Sequence, residues 1–271
     1  ERGVLRHLGI PYANFVTGSG DGLSVDLMRR FARDIGVRYE FVESDFATII
    51  PDLTGRKPVK RKDGKTGFET APIKGDIIAS GLTVLPWREE LVAFSSATFP
   101  TQIWLMTTPD SNLAPITPSG SIETDIRNVK ALLKGRNLLV KSGTCLEPSL
   151  YKLADTGARM KDFPGNLNEL FPAVMQGEAE ATILDVPDAL VAMSKWAGKI
   201  KVIGPISEEQ TMAEAFRKED RQLHAAYEAF LAKAKRDGTY LALIQKYYPD
   251  AAYYYAGFFE GCAEPKAKSA R

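Results

Sequence analysis

Segments with the character of β-strands alternate with amphipathic helical segments along almost the whole chain. Residues 4–10 and 37–42 are strand-like runs, and between them Leu27 and Phe31 lie on one face at helical spacing. The alternation returns in the second half, where residues 181–184 are apolar and precede another helical segment. Alternating strands and helices build sheets covered by helices, so the sequence predicts an α/β fold.

The length and the charge balance narrow the functional classes. A chain of 271 residues fits one large domain or two modest ones. Its 35 Lys and Arg against 34 Asp and Glu give a net charge of +1, which supplies no general attraction to nucleic acid. No run of about 18 apolar residues is present, so no segment is expected to span a bilayer.

The two cysteines and two histidines are too few and too far apart for the common metal motifs. Cys145 and Cys262 cannot supply a cysteine-rich zinc site, and the chain has no HExxH sequence. We therefore expect neither a metal nor a cofactor. Whether the two thiols pair in a disulfide stays open, because pairing requires that the chain has left a reducing compartment.

A basic segment interrupts the pattern at residues 55–67, where six Lys and Arg residues stand close together. We expect an exposed loop or hairpin, and the sharper alternative is a docking patch for an acidic partner. Nucleic acid is not expected to bind there, since aromatic residues for base stacking are lacking nearby.

The most informative segment is residues 81–95, where a predicted strand ends and a short turn follows. Arg88 stands just past the end of that strand, and Thr83 lies between them. An arginine in such a position can hold a carboxylate through two hydrogen bonds, with the Thr83 hydroxyl and backbone N–H groups completing the contact. By itself, the segment equally fits an Arg88 that only pairs with a surface glutamate.

Segment 81–95 resembles the ligand motif of the type II periplasmic binding proteins of the polar amino-acid class. The resemblance extends over nearly the whole chain in the family's order, and its other parts are residues 22–42, 46–53, 74–80, 141–145, 181–185, 216–220 and 236–248. Ionotropic glutamate receptor ligand domains and bacterial cyclohexadienyl dehydratases share this fold. Because the matches occur together and in order, they are much more specific than any one of them.

The resemblance implies a two-lobed fold, in which each lobe is a mixed β-sheet flanked by helices and the ligand binds in the cleft between the lobes. Lobe 1 is expected to comprise residues 1–106 and 212–271, and lobe 2 residues 107–211. A Thr-, Pro- and Asp-rich composition favours a first crossover near 106–110, and the second is expected near 204–212.

On lobe 1 the resemblance implies aromatic walls, a backbone turn and a carboxylate clamp, with ligand contacts from Tyr12, Phe46, Ser80, Gly81, Thr83 and Arg88. Thr83 and Arg88 are expected to grip the ligand's α-carboxylate. Ser80 and Gly81 are expected to offer backbone or hydroxyl contacts. Tyr12 is equally compatible with plain core packing.

On lobe 2 the resemblance assigns the ligand's ammonium group to Asp185, at the end of a strand. Gly143, Thr144 and Cys145 resemble the family's Gly-Thr-Thr nest, whose backbone N–H groups at a helix N-terminus suit an anion. Cys145 stands where the family has a threonine. This departure leaves the clamp of Arg88 and Asp185 intact, but the resemblance then does not determine which ligand side chain the protein accepts.

The function that the resemblance implies is capture of an amino acid or similar zwitterion by a monomeric protein, which then delivers it to a membrane ABC permease. Opposite charges on the two lobes would make the ligand stabilise the closed state. Such a protein works in the periplasm or another extracytoplasmic space. The chain starts at Glu1 without a signal peptide, so we expect a processed form.

Two other functions stay open on the same fold. A ligand-sensing ectodomain of a receptor, or a domain fused to a transglycosylase, would look alike in this chain. A cyclohexadienyl dehydratase-like lyase would need a general acid in the cleft. Relatives of that kind carry the acid two residues after their Gly-Thr pair, where this chain has Leu146, and Glu147 is displaced by one.

Overall fold

The structure is a computed structural model, and it describes residues 3–60 and 66–264. The described residues form two compact units, and each unit is built around a β-sheet of its own. Unit 1 holds the described residues up to Phe99 and from Met212 onward, and unit 2 holds Pro100–Thr211.

The strands in chain order are β1 (Val4–Gly9), β2 (Arg38–Glu43), β3 (Arg56–Lys60), β4 (Thr66–Thr70), β5 (Ile77–Ile78), β6 (Ala93–Phe94), β7 (Phe99–Thr101), β8 (Ile103–Thr107), β9 (Asn137–Val140), β10 (Arg159–Asp162), β11 (Ala181–Asp185), β12 (Lys201–Pro205), β13 (Gln210–Met212) and β14 (Ala215–Phe216). The α-helices are α1 (Leu23–Asp34), α2 (Ile49–Thr54), α3 (Pro86–Glu89), α4 (Ile122–Ala131), α5 (Leu170–Met175), α6 (Val186–Lys195), α7 (Arg221–Arg236), α8 (Thr239–Tyr247), α9 (Ala251–Tyr254) and α10 (Ala256–Phe259). Short 3-10 helices cover Pro148–Tyr151, Leu153–Thr156 and Leu167–Glu169.

Unit 1 contains a mixed sheet in the order β2-β1-β5-β14-β6. β1 pairs in parallel with β2 and with β5, whereas β14 runs antiparallel to β5 and to β6. Parallel neighbours need a crossover connection, and α1 forms the one between β1 and β2. Leu27, Met28 and Phe31 of α1 are buried, so the predicted apolar stripe of this helix is confirmed as a core face.

The core of unit 1 lies against its parallel strands. Leu8 of β1 and Ile78 of β5 pack with Ile49 and Leu53 of α2, and all four side chains are almost fully buried. Burying an apolar side chain of this size contributes about 1.5–3 kcal/mol to stability. The packing of α2 therefore holds β1 and β5 in place close to the ends where both strands stop.

Unit 2 contains a second mixed sheet in the order β10-β9-β11-β8-β12. β9 pairs in parallel with β10 and β11, and β8 runs antiparallel to β11 and β12. The helix α4 begins after Ser121, whose hydroxyl accepts a hydrogen bond from the Thr124 N–H at 3.4 Å. Both units combine a mixed sheet with helices, so the predicted α/β fold class is confirmed.

The chain passes from unit 1 to unit 2 on β7 and returns on β13, and these two strands pair with each other. The first passage lies at Phe99–Pro100, so the boundary at residue 106 inferred from the sequence is too late. β8 belongs to unit 2 because it hydrogen-bonds to both β11 and β12. The polar residues that follow β8 form a connection inside unit 2 and not a crossover.

The basic segment contributes to an antiparallel hairpin of β3 and β4. Its Arg56 lies over the ring of Phe68, with 4.4 Å between the guanidinium carbon and the ring centroid. Residues 61–65 lie outside the described part of the chain, so docking of an acidic partner at this segment stays a prediction.

No helix in the described ranges is long and apolar enough to cross a membrane. Both cysteines are free thiols, with Cys145 buried and Cys262 partly buried. The disulfide that the sequence left open is therefore not formed in this structure.

His7 is a buried ionisable side chain on β1, between β2 and β5. Its Nε2 lies 2.5 Å from the carbonyl oxygen of Ala79, and its Nδ1 lies 2.9 Å from the Tyr39 hydroxyl. A carbonyl only accepts, so Nε2 carries the proton and Nδ1 accepts from Tyr39. Burial lowers the pKa of His7 from 6.5 to about 4, against the smaller opposing effect of the Ala79 carbonyl. At neutral pH the uncharged ring ties β1 to the residue before Ser80.

We expect acid to destabilise the protein through His7. Between pH 6.5 and about 4 the unfolded histidine binds a proton and the buried one does not, so the free energy of unfolding falls by about 3 kcal/mol as the pH falls through this window. His7→Gln keeps a donor for Ala79 but cannot titrate, and it should lack this contribution. Urea denaturation at several pH values measures how the free energy of unfolding changes with pH in the unchanged protein and in the variant. The same pH dependence in both proteins would contradict the assignment.

Candidate functional site

The residues that the sequence assigns to the ligand on lobe 1 lie in unit 1, beyond the carboxyl ends of the parallel strands β1, β2 and β5. Ser80 and Gly81 lie two and three residues after the end of β5, and Thr83 leads toward α3, which carries Arg88. Parallel strands end at the same edge of a sheet, so the segment after β1, with Tyr12, approaches the segment after β5. The pairing of β1 with β5 therefore gathers these side chains at one edge.

Arg88 is buried, with 3% of its surface exposed. Its Nη1 donates a hydrogen bond to the carbonyl oxygen of Thr83 at 2.8 Å, and this bond orients the guanidinium group. The Trp87 ring lies beside it, with 5.0 Å between ring centroid and guanidinium carbon. Such burial does not fit the alternative of an arginine paired with a surface glutamate. It suits a fixed cation that receives a carboxylate in two hydrogen bonds.

Two buried hydroxyl groups lie in the segment between β5 and α3. Within the described residues, neither Ser80 Oγ nor Thr83 Oγ1 has a hydrogen-bond partner. Leaving a buried polar group unsatisfied costs about 1–3 kcal/mol, so each such group needs an explanation. Hydroxyls that contact a bound polar molecule would lose this penalty when the molecule binds.

Tyr12 and Phe46, the two candidate aromatic walls, lie side by side. Their ring centroids are 6.1 Å apart in an edge-to-face arrangement, and Tyr12 also stacks on Phe15 at 6.0 Å. Tyr12 is almost fully buried. Its contact with Phe15 is the core packing that the sequence allowed, and its contact with Phe46 is what two walls of one site require.

Gly81 fills a position that only glycine accommodates without strain. Its φ of +68° lies in the left-handed region, and a Cβ atom there would stand 2.4 Å from ring carbons of Phe15. The ring of Phe15 thus occupies the space beside this turn. The turn after β5 is shaped by close packing as well as by its backbone conformation.

Asp185, expected on lobe 2, lies in unit 2 at the end of β11 and immediately before α6. Only 1% of its surface is exposed. The Cys145 thiol donates a hydrogen bond to Asp185 Oδ2, with 3.3 Å between sulfur and oxygen. A thiol is a weak donor, so this contact positions the carboxylate and adds little to the stability of its charge.

The nest of residues 143–145 already uses part of its hydrogen-bonding capacity. The Gly143 N–H donates to Glu147 Oε2 at 3.1 Å, and the neighbouring Ser142 N–H donates to Asp162 Oδ1 at 2.7 Å. The Ser142 N–H holds the pKa of Asp162 below its usual range. The Thr144 hydroxyl donates to the backbone carbonyl of Lys141 at 2.8 Å. Carboxylates of the protein itself therefore occupy two amides that the sequence offered to an anion.

The helix expected behind this nest is not an α-helix. The segment folds as two 3-10 helices, Pro148–Tyr151 and Leu153–Thr156, and Lys152 between them has a φ of +53°. A left-handed residue interrupts an α-helix, since its backbone cannot continue the right-handed spiral. The anion-binding contribution of a long helix N-terminus is therefore lacking here.

Asp188 is a buried carboxyl group that the sequence reasoning missed. It lies in the first turn of α6, three residues after Asp185, and 6% of its surface is exposed. Burial raises its pKa well above the usual value, and the negative charge of Asp185 raises it further. The sequence signal for it was an acidic residue three positions after the aspartate that ends a strand. This signal is weak, because the first turn of a helix often carries an exposed Asp.

A separate cavity of about 450 Å³ lies at the opposite edge of the unit 1 sheet, where β1 begins. Arg6 pairs with Asp76 at 2.7 Å, and Arg217 pairs with Asp220 at 2.5 Å. These charges compensate one another, so the cavity is explained by structural ion pairs. In the part of the chain that the structure describes, no group of three or more His, Cys, Asp or Glu side chains could hold a metal ion.

Comparison with known protein families gives a match over most of the chain. Residues 70–250 match the model of the bacterial extracellular solute-binding proteins, family 3. The match includes the segments around Arg88 and Asp185 and the loop with Cys145.

The similar proteins include a periplasmic binding protein and a lytic transglycosylase. The chain is 24% identical to the histidine-binding periplasmic protein of Salmonella typhimurium, over 84% of this chain and 78% of that protein. It is 25% identical to the membrane-bound lytic murein transglycosylase F of Methylobacillus flagellatus, over 92% of this chain and 48% of the transglycosylase. The chain thus spans about half the length of that enzyme.

A solved structure of an ancestral arginine-binding protein bound to arginine is similar in fold, with a TM-score of 0.71 and 25% sequence identity. The similarity covers 91% of this chain and 99% of that protein. It therefore extends over both units.

We expect Gly81→Ala to destabilise the protein more than Gly36→Ala. Both glycines have a left-handed φ, which costs alanine about 1–2 kcal/mol, but a Cβ at residue 36 meets no atom within 4 Å. At residue 81 the clash with Phe15 adds about 1–3 kcal/mol. Urea denaturation of both variants measures the difference, and equal losses of stability would show that Phe15 moves away without cost.

Proposed function

The chain belongs to family 3 of the bacterial extracellular solute-binding proteins, and we propose that it captures an amino acid or a related zwitterion. The buried, oriented guanidinium of Arg88 is the observation that carries this proposal. A solute-binding protein recognises its ligand by fixed groups that are complementary to it, and the two units carry such groups of opposite charge.

The carboxylate of the ligand is proposed to bind in unit 1. Arg88 supplies the cation, and the buried hydroxyls of Ser80 and Thr83 supply further hydrogen bonds to oxygen. A hydrogen bond to a charged group contributes about 1.5–3 kcal/mol, and satisfying the two hydroxyls removes their burial penalty. Tyr12 and Phe46 are proposed to contact the apolar part of the ligand, and Gly81 lets the backbone turn approach it.

The ammonium group of the ligand is proposed to bind in unit 2, at Asp185. The Cys145 thiol donates to one oxygen of this carboxylate and helps to position it. Thr144 and Gly143 are proposed to shape the loop beside it, since the Gly143 N–H and the Thr144 hydroxyl already donate to protein oxygens. Charge recognition in unit 2 is therefore assigned to Asp185 and not to the backbone amides of Ser142 and Gly143.

A ligand whose carboxylate binds unit 1 and whose ammonium group binds unit 2 stabilises the conformation in which both half-sites contact it. This differential affinity is the physical basis of ligand-driven closure in two-unit proteins. We propose that the closed form is recognised by a membrane ABC permease, and that the protein acts as a monomer in the periplasm or another extracytoplasmic space. The family and its periplasmic relatives support this assignment.

A second candidate is a ligand-binding domain of a larger protein. Its support is the similarity to a lytic transglycosylase, of which this chain spans about half. Capture of a small molecule is common to both candidates, and the sequence of the complete gene distinguishes them.

A dehydratase function has less support. The position that carries the acid in such lyases holds Leu146, which is buried. The neighbouring Glu147 binds the Gly143 N–H and the hydroxyl and N–H of Ser149. A general acid must instead reach a leaving group of the substrate.

We expect Arg88→Ala to abolish stabilisation by ligand. L-Arginine, L-histidine and L-glutamine serve as probes, and the rise of the melting temperature with probe concentration measures binding. Arg88→Lys keeps the charge but loses the paired hydrogen bonds, so it should weaken binding by about tenfold or more.

Arg236→Ala, at an exposed arginine of α7, is the matched control and should respond to the probes like the unchanged protein. If a probe raises the melting temperature of Arg88→Ala as much as that of the unchanged protein, the assignment of Arg88 is wrong. If no amino acid stabilises any of these proteins, the proposed function itself is wrong.

We expect Asp185→Asn to lose binding of the same probes. The substitution keeps the shape of the side chain and removes the charge that receives the ammonium group, which should weaken binding by about tenfold or more. Asp155→Asn, at an exposed position of unit 2, is the control. Titration calorimetry measures the affinities, and equal affinities for both variants would exclude Asp185 from the site.

A further inference from the structure

A buried carboxyl group of unit 1 lies next to the two strands on which the chain leaves this unit and returns to it. Glu214 stands between β13 and β14, and 4% of its surface is exposed. Its Oε1 lies 3.2 Å from the Thr98 hydroxyl, and its Oε2 lies 3.2 Å from the Ser95 hydroxyl. Thr98 directly precedes β7, on which the chain passes to unit 2. The proposed function makes no use of this group.

Each of these two hydroxyls has a choice between two acceptors. The Thr98 hydroxyl reaches Glu214 Oε1 and also the carbonyl oxygen of Met212, which is 3.4 Å away. The Ser95 hydroxyl reaches Glu214 Oε2 and also the carbonyl oxygen of Ser96, which is 2.9 Å away. Since a hydroxyl carries a single hydrogen, each can donate fully to only one of its two acceptors at a time.

The charge of Glu214 biases this choice. An ionised carboxylate only accepts, and a hydrogen bond to a charged acceptor is roughly twice as strong as one to a neutral acceptor, so both hydroxyls then donate to Glu214. When a proton from solvent binds Oε1, the new O–H donates to Thr98 Oγ1, and the Thr98 hydroxyl donates to the Met212 carbonyl instead. We propose that Glu214 is a proton-operated switch, which makes and breaks this hydrogen bond between Thr98 and Met212.

Thr98 accepts this proton more readily than Ser95 does. Ser95 Oγ already accepts the backbone N–H of Glu214 at 3.2 Å, which takes up one of its two lone pairs. Within the described residues Thr98 Oγ1 accepts no hydrogen bond. The switch is therefore assigned to the Thr98 side of the carboxyl group.

Met212 is a residue where such a change has consequences. Its carbonyl oxygen also accepts the Thr98 N–H at 2.8 Å, and Met212 forms an isolated β-bridge with Thr83. A hydrogen bond gained or lost at this carbonyl therefore acts on the strand that returns from unit 2 and on its contact with the segment that carries Thr83.

The elements packed around Glu214 present two tyrosines to it. β14 pairs with β5 and β6, and neither of these strands has an ionisable side chain. Tyr227 of α7 has its hydroxyl near the carboxyl group, although not in a well-aligned hydrogen bond. Tyr240 of α8 donates from its hydroxyl to the Thr98 carbonyl. Both hydroxyls are buried and have a pKa well above the usual value, so they stay neutral while Glu214 titrates.

The charged groups of α7 bind the same segment from the outside. Glu228 accepts from the Ser96 N–H at 2.6 Å and from the Ser96 hydroxyl at 2.7 Å, and His224 Nε2 lies 3.5 Å from Glu228. Lys235 donates to the Ala97 carbonyl at 3.0 Å. In the part of the chain that the structure describes, no cation forms an ion pair with the Glu214 carboxyl.

Burial raises the pKa of Glu214 above its ordinary value of 4.5, against smaller opposing effects of the hydroxyls of Tyr227, Thr98 and Ser95. The folded protein therefore keeps this proton at a pH where the unfolded chain has lost it. It follows that the contribution of Glu214 to the free energy of unfolding is lost as the pH rises through this window.

Solution NMR of the full chain tests the switch at its own atoms. Carbon-13 resonances report the charge of the Glu214 carboxyl and the hydrogen bonding of the Met212 carbonyl, and both are followed from about pH 4 to 9. We expect the two carbons to shift together, with one midpoint above 4.5. A Met212 carbonyl that does not move while Glu214 titrates would overturn the proposal. So would a carboxyl that keeps one charge state over the whole range. No ligand is needed, so the result is independent of the proposed function.

Two variants separate the parts of the switch. Thr98→Val keeps the shape of the side chain and removes its hydroxyl, so Glu214 should still titrate while the Met212 carbonyl no longer shifts. Glu214→Gln keeps a donor and an acceptor but cannot ionise, so the Met212 carbonyl should stay at its acid position at every pH. Glu219→Gln, at an exposed position of the same unit, is the control and should behave like the unchanged protein.

A Met212 carbonyl that still titrates in Glu214→Gln would show that another group is responsible. Urea denaturation of this variant should also lack the loss of stability with rising pH that Glu214 causes in the unchanged protein. If Glu214→Gln does not fold, Thr98→Val and the unchanged protein decide the question.

Discussion

Parallel pairing of neighbouring strands is the constraint on which the rest of the structure depends. Because β1 runs parallel to β2 and to β5, helical connections must return the chain, and the carboxyl ends of β1 and β5 stop at one edge. The turn after β5 and the helix with Arg88 start from that edge. In unit 2 the parallel pairing of β9 and β11 does the same for the loop with Cys145 and for Asp185. The positions of the residues proposed for each half-site are thus a consequence of strand direction.

Each buried polar group near these edges is stabilised in its own way. Arg88 is oriented by a backbone carbonyl, and Asp185 is contacted by a thiol. Burial lowers the pKa of His7 to about 4, and burial together with the charge of Asp185 raises the pKa of Asp188. Burying a charge is costly unless it is paired, and burying its neutral form costs much less. Burial therefore acts on these groups in two ways, since it fixes the orientation of Arg88 and Asp185 and it disfavours the charged forms of His7 and Asp188.

The sequence predicted the site to different degrees in the two units. Arg88 and Thr83 could be placed because they follow a strand within a short segment, and the structure brings them into contact. Asp185 likewise ends a strand. The occupied amides of Ser142 and Gly143 were not foreseen, and the Ser142 N–H bonds to Asp162, which lies twenty residues away. The boundary near residue 106 was wrong because β8 pairs with β11 and β12, which lie far along the chain from it.

The sequence by itself determined the α/β class, the order of the segments and the residues that end their strands. These properties follow from apolar periodicity and turn residues, which are local. The tertiary structure decided where the chain changes units, that Asp188 is buried beside Asp185, and that the hydroxyls of Ser80 and Thr83 lack partners among the described residues. Burial and hydrogen bonding depend on atoms brought together from distant parts of the chain, so no local pattern contains them.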